Sequence, residues 1–148
     1  MNEPFGAASH PYQPGWFDLV SVLIEGMVAN AGQQEAEAFL QNMGESLAAR
    51  YPLPEALTVQ DLERDINLQL ARFNWGFVQL RPQSTALLLT HHALPAGDKA
   101  FEATNWQSAF GAVLTGLYTG WLKGQGGSAA VPVTLELNDG NTLHYRYQ

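Results

Sequence analysis

The chain has 148 residues, 46% hydrophobic, 11% aromatic and only 14% charged, which fits one globular domain with a sizeable core and an unusually neutral surface. A formal net charge of −7 withholds the basic footprint that nucleic acids and anionic membrane surfaces require. The absence of cysteine removes disulfides, thiol catalysis and thiolate metal sites, and no apolar run nears the roughly 20 residues of a membrane span.

Residues 1–15 carry Pro4, Pro11, Pro14, Gly6 and Gly15 and read as an extended or mobile arm. Docking of that arm through Phe5, Tyr12 and Trp16 is the alternative. The opening MNEPFGAASHPYQPGW has neither a basic n-region nor an apolar h-region, so no Sec signal and a cytoplasmic location are expected. Residues 16–148 are expected to form a single α+β domain.

From about Trp16 to Asn30, Phe17, Val20, Leu23, Ile24, Met27 and Val28 fall on one helical stripe that stops at Gly32. A second helix buries Ala36, Phe39, Leu40, Met43 and Leu47 and ends at Tyr51-Pro52-Leu53-Pro54. The third opens on Thr58 as cap, with Asp61 three residues on and Leu57 and Leu62 at hydrophobic-staple spacing. Its core stripe is Leu62, Ile66, Leu70 and Phe73, and Asn74 or Gly76 closes it in the left-handed conformation.

The period then changes. Phe77 to Arg81 alternates, Pro82-Gln83-Ser84 turns, and Thr85 to His92 is β-branched and leucine-rich, which predicts a hairpin. A long helix follows, from about Asn105 to Lys123, and Gly124 to Ser128 breaks it. The last 18 residues predict a second hairpin on a three-residue Asn138-Asp139-Gly140 loop with a left-handed Gly140. That register pairs Leu135 with Leu143 and Val133 with Tyr145, and places Glu136 opposite Thr142 and Thr134 opposite His144. Pro132 lacks a donor and marks an edge strand. The fold class is therefore α+β: three N-terminal helices, a β-hairpin, a long helix, a C-terminal β-hairpin, and an antiparallel sheet.

The long helix carries a ladder of small residues, Ala112, Gly116 and Gly120, beside Phe110, Val113, Leu114, Leu117, Tyr118 and Trp121. Each interior glycine costs about 0.5–1 kcal/mol against alanine, so the strip is expected to admit a close backbone neighbour. Ala112, Gly116, Gly120, Tyr118 and Trp121 are the candidate close-contact or interface residues, and the neighbour can belong to the same chain or to another. Gly124 reads as the helix stop.

No P-loop, GxGxxG, HExxH or GxSxG is present. His91 and His92 are adjacent in a predicted strand and point to opposite faces; with His10 and His144 they are expected to be surface or half-buried side chains. Asp61, Glu63 and Asp65 lie on the first turns of a helix, where they favour its dipole. Core burial is expected for each of Trp16, Trp75, Trp106 and Trp121. The expectation is no catalytic site, no cofactor and no metal.

Three ordered segments, INLQLARFNWGFVQL (66–80), ALLLTHHALP (86–95) and WQSAFGAVLTGLYTGWLKGQGG (106–127), resemble the bacterial cellulose synthase operon protein D family. The positions that carry the resemblance are Ile66, Asn67, Leu70, Trp75, Gly76, Val78 and Leu80. They continue with His92 or its neighbour His91, Leu94, Pro95, Trp106, Leu114, Gly116, Leu117, Tyr118 and Trp121. The family's H-E-x-L-P stands here as H-H-A-L-P. The resemblance implies a non-catalytic accessory subunit of cellulose synthesis and secretion, and hence of biofilm cellulose, forming dimers that assemble into an octamer. It implies as partners the cellulose synthase complex, a proline-rich accessory protein and nascent glucan chains. A cytoplasmic scaffold and a periplasmic cylinder that guides glucan are the two arrangements it allows. A small acidic secretion chaperone dimer holding a protein client, and a glycan-active enzyme, are the competing functional classes.

Overall fold

Helix ends follow the caps and breaks in the chain. A computed structural model describes residues 15–95, 103–126, 131–139 and 142–148. Its elements are α1 (Trp16–Ala31), α2 (Gln33–Arg50), α3 (Val59–Phe73), β1 (Phe77–Pro82), β2 (Leu87–His92), α4 (Ala103–Gly124), β3 (Val133–Asn138) and β4 (Leu143–Tyr147). All of the expected arm (1–15) but Gly15, the residues Gly127 and Ser128 of the expected helix break, and Gly140 lie outside the described residues. Gly32, at φ +91°, separates α1 from α2. The Thr58 side chain accepts from Asp61 N at 3.0 Å, and Asn74 closes α3 at φ 63°, ψ 44°. The staple does not form, because Leu57 is 88% exposed while Leu62 is buried. The segment before Leu57 is tied elsewhere: Ala56 N donates to Gln125 Oε1 at 2.8 Å and Gln125 Nε2 donates to Pro54 O at 3.0 Å.

The strands form one antiparallel sheet in the order β1-β2-β4-β3. Alternation sends Val78, Leu80, Leu89, His91, Leu143, Tyr145 and Val133 to one buried face. Leu114, Leu117, Tyr118 and Trp121 of α4 pack on that face with Leu62, Ile66 and Leu70 of α3. The second hairpin differs from the expected register. Leu135 pairs with Tyr145 and Val133 with Tyr147: the pairing already starts at Asn138 with Leu143, three places beyond the expected register, and a β-bulge between Leu135 and Leu137 takes one of those places back. The bulge keeps Val133 and Leu135 on the face of Tyr145 and leaves Leu137 53% exposed. β3 is an edge strand, as Pro132 requires.

The opposite edge, β1, is closed by side chains of α3. Asn67 Oδ1 accepts from Val78 N at 2.7 Å, Asn67 Nδ2 donates to Val78 O at 3.0 Å, and Glu63 Oε2 accepts from Leu80 N at 2.8 Å. The spacing explains the fit. Four helical residues rise about 6 Å and two strand residues about 6.6 Å, so the i, i+4 pair on α3 meets alternate, same-edge groups of β1. Asn67→Ala strands both Val78 groups, and thermal unfolding should show a loss of about 2 kcal/mol. An unchanged melting temperature would remove Asn67 from this role. Gly76, at φ +91°, passes under the end of β2, where a Cβ would lie 2.6 Å from Ala93 O.

Candidate functional site

The small-residue ladder of α4 lies directly against α2 of the same chain. Ala112 and Gly116 are buried and Gly120 is half-buried. A Cβ on Gly116 would overlap the Gln41 carbonyl and stand 2.7 Å from its carbon; one on Gly120 would stand 2.6 Å from Ala48 Cβ. The relation is mutual, since a Cβ on Gly44 would overlap the Val113 carbonyl and lie 3.0 Å from Gly116 Cα. The two helices therefore touch backbone to backbone. Of the matching strip on α2, Ala36, Leu40, Gly44 and Ala48, sequence reasoning found Ala36 and Leu40 and missed Gly44 and Ala48, for which the i, i+4 spacing was the signal. Phe39 and Met43, expected in the core, are 48% and 42% exposed. They stand beside this strip, and the close approach through Gly44 draws the other face of α2 inward.

Tyr118 and Trp121 face the sheet and are buried. Tyr118 packs edge-on to Tyr145, Trp121 and His91, and Trp121 Nε1 donates to Tyr51 O at 2.9 Å. His91 is fully buried, not a surface or half-buried residue as its neighbours in sequence suggest. Its Nε2–H donates to the Trp75 carbonyl at 2.7 Å, which leaves Nδ1 to accept from the Tyr118 hydroxyl at 2.5 Å. Burial is the main reason its pKa falls from 6.5 to about 4, with the nearby His92 adding to the fall and the Trp75 bond opposing it. Burial likewise raises the Tyr118 and Tyr145 hydroxyls well above their ordinary value. The Tyr145 hydroxyl donates to Gly111 O at 2.8 Å. The Tyr118–His91–Trp75 arrangement is a closed hydrogen-bond chain joining α4, β2 and the end of α3. His92, on the other face, stacks on Phe77 and contacts Gln79 Oε1 at 2.8 Å.

Among the described residues, no group of three His, Cys, Asp or Glu side chains could hold a metal ion. None of the described helices is long and apolar enough to cross a membrane.

The exposed feature of most consequence is α1. Phe17, Ser21 and Ile24 face inward, with Phe17 edge-on to Trp106 at 4.9 Å. Trp16, Leu19, Val20 and Leu23, at i, i+3, i+4 and i+7, face outward. Val20 and Leu23, expected in the core stripe, are thus outside, and so is Trp16, which is 69% exposed. The helix is apolar over most of its circumference, so an apolar stripe can be drawn on either side of it. Beside the outward stripe, α1, α2 and α4 leave a cleft of about 270 Å³ whose described walls, among them Val20, Leu23, Met27, Trp75, Trp106 and Phe110, are all apolar. The indole nitrogen of Trp106 does not change this, since it donates to Pro95 O at 2.7 Å.

Comparison with known proteins agrees with the ordered segments. A relative from Komagataeibacter xylinus, cellulose synthase operon protein D, is 33% identical over 101 residues, covering 66% of this chain and 63% of its own length. The protein of the same name from Komagataeibacter sucrofermentans matches with the same identity and coverage. The aligned part thus spans somewhat under two thirds of these curated relatives. The family profile for the cellulose synthase D subunit matches residues 5–148, nearly the whole chain and including the α3–β1 junction, β2 and α4 described above. The chain belongs to the cellulose synthase D-subunit family.

Proposed function

We propose that this protein is a non-catalytic accessory subunit of bacterial cellulose synthesis and secretion. It self-assembles and acts by geometry, arranging synthase terminals or nascent glucan chains so that ordered, crystalline cellulose results. The observation that carries this reading is the outward apolar stripe of α1, on a chain whose family is named for a part of cellulose synthase. Four large apolar side chains in one stripe belong to the surface of an assembling protein more than to that of a solitary monomer. A scaffold fits the rest of the molecule as well. The glycine seam and the Tyr118–His91–Trp75 hydrogen-bond chain stiffen the body that presents α1.

In a cellulose-producing bacterium lacking its own operon protein D, this chain should restore the yield and crystallinity of cellulose, measured by X-ray diffraction of the washed pellicle. The Leu23→Glu variant, which places a carboxylate in the stripe, should restore less than half. Cellulose that is identical with and without the chain would contradict the reading.

A further inference from the structure

We propose that α1 pairs antiparallel with α1 of a second copy about a two-fold axis, each copy's outward stripe covering the apolar cleft of the other. This rests on the self-assembly reading above and specifies the surface and its occupant. The first ground is the helix itself. Trp16, Leu19, Val20 and Leu23 are 69%, 48%, 42% and 57% exposed, while Phe17 and Ile24 are buried behind them. A helix that is apolar on both sides is normally covered on both sides.

The second ground is self-complementarity. An isologous interface needs projection and recess on one patch. Here the stripe projects, and the cleft between α1, α2 and α4 opens beside it with Val20 and Leu23 belonging to both. An axis between Val20 and Leu23 sets Val20 of each copy against Leu23 of the other. It also sets Trp16 against Met27, at the far end of the cleft wall. The third ground is charge. Asp18 and Glu25, seven residues apart, share a flank turned away from the stripe, and α1 has no basic residue. Pairing through the stripe leaves these carboxylates at the hydrated rim, and the antiparallel sense opposes the two helix dipoles.

Area decides between a passing contact and an interface. The exposed parts of the stripe, with the cleft walls it covers, come to roughly 500 Å² per copy, using about 150–250 Å² for each large side chain. Two copies then bury about 1,000 Å², the lower bound of a specific interface. A sugar chain is a poor occupant, because the described cleft walls present no polar atom to bond its hydroxyls.

The chain has no cysteine of its own, so engineered thiols report cleanly. Trp16→Cys and Met27→Cys chains, co-expressed with separable tags and oxidised, should form a mixed disulfide dimer at least about tenfold more abundant than either self-linked dimer. In antiparallel register, like positions lie about 16 Å apart along the helix, beyond disulfide reach. Glu25→Cys, on the flank, should not cross-link. Leu23→Glu should at least halve the mass in solution while leaving the helix content unchanged. Self-linked dimers equal to or exceeding the mixed one, or Glu25→Cys cross-linking, would overturn the antiparallel pairing. If the unmodified chain is an oligomer and Leu23→Glu leaves its mass intact, the α1 interface fails and self-assembly stands. If the unmodified chain is a monomer, both fail.

Discussion

Gly116→Ala is expected to lower the stability of the protein by about 3 kcal/mol, a fall in melting temperature of roughly 10 °C for a chain of this size. In an ordinary helix the same change would be favourable by about 1 kcal/mol. The sign reverses because the added Cβ would meet backbone: it would overlap the Gln41 carbonyl and come within 3.0 Å of Glu45 N. Backbone cannot step aside as a flexible side-chain end can, so α2 and α4 must separate along their length and loosen the contacts above and below. Gly116→Leu should be worse and should abolish soluble assembly, since α2 also supports α1 through Leu40. Gly124→Ala is the internal control. That glycine meets nothing within 4 Å, and its replacement should leave the melting temperature within about 2 °C. Differential scanning calorimetry of the three variants checks the series. Equal effects at Gly116 and Gly124 would contradict the seam.

The second large effect is a pH dependence traceable to His91. In the folded chain its pKa is pushed down to about 4, against 6.5 in the unfolded chain. Between those values the unfolded state binds the proton and the native state does not, so stability rises with pH across the window. The contribution is fully present above about pH 6.5, is lost progressively as the pH falls toward 4, and is constant below that. A displacement of this size corresponds to about 3 kcal/mol. The groups facing the imidazole are the Tyr118 hydroxyl, the Trp75 carbonyl and the neighbouring His92. None of them supplies a negative charge to hold a buried imidazolium.

His91→Leu removes the titration and strands the Tyr118 hydroxyl and the Trp75 carbonyl, at a cost of about 3 kcal/mol at pH 7. The two proteins should then converge in stability near pH 4. Urea unfolding at pH 7, 5.5 and 4 measures this directly. A constant gap between the two proteins across those pH values would show that His91 is not the titrating group.

Local signals in the chain set most of the elements. Thr58 with Asp61, Asn74, Gly32 and the change of period at Phe77 are short-range chemistry, and the structure places helix ends and strands at them. The α3 core stripe of Leu62, Ile66 and Leu70 was equally legible, because polar residues fill most of the exposed side of that helix, Val59 and Leu68 apart. Legibility failed where periodicity was ambiguous or where a distant partner decided. α1 is apolar nearly all round, so no stripe could single out Phe17 and Ile24 over Val20 and Leu23. Gly44 and Ala48 of the α2 strip were hidden because such small side chains weigh little in an apolar pattern; only the opposing Gly116 and Gly120 give them meaning. The second hairpin slipped because pairing with β4 runs on to Asn138, which the turn sequence had placed in the loop, and the bulge between Leu135 and Leu137 then takes back only one place. His91 looked like one of two equivalent histidines until Tyr118, 27 residues on, supplied its partner.

The small-residue ladder and the α1 stripe thus divide two tasks that the sequence leaves joined. The ladder fastens α4 to α2 inside one chain, and the stripe is the surface proposed to meet another. The measurement that tests this most directly is the mass of the purified protein by size-exclusion chromatography with light scattering at micromolar concentration. A discrete multiple of the 16.2 kDa chain, at least twofold, is the predicted result. A single species at 16.2 kDa across that concentration range would contradict it.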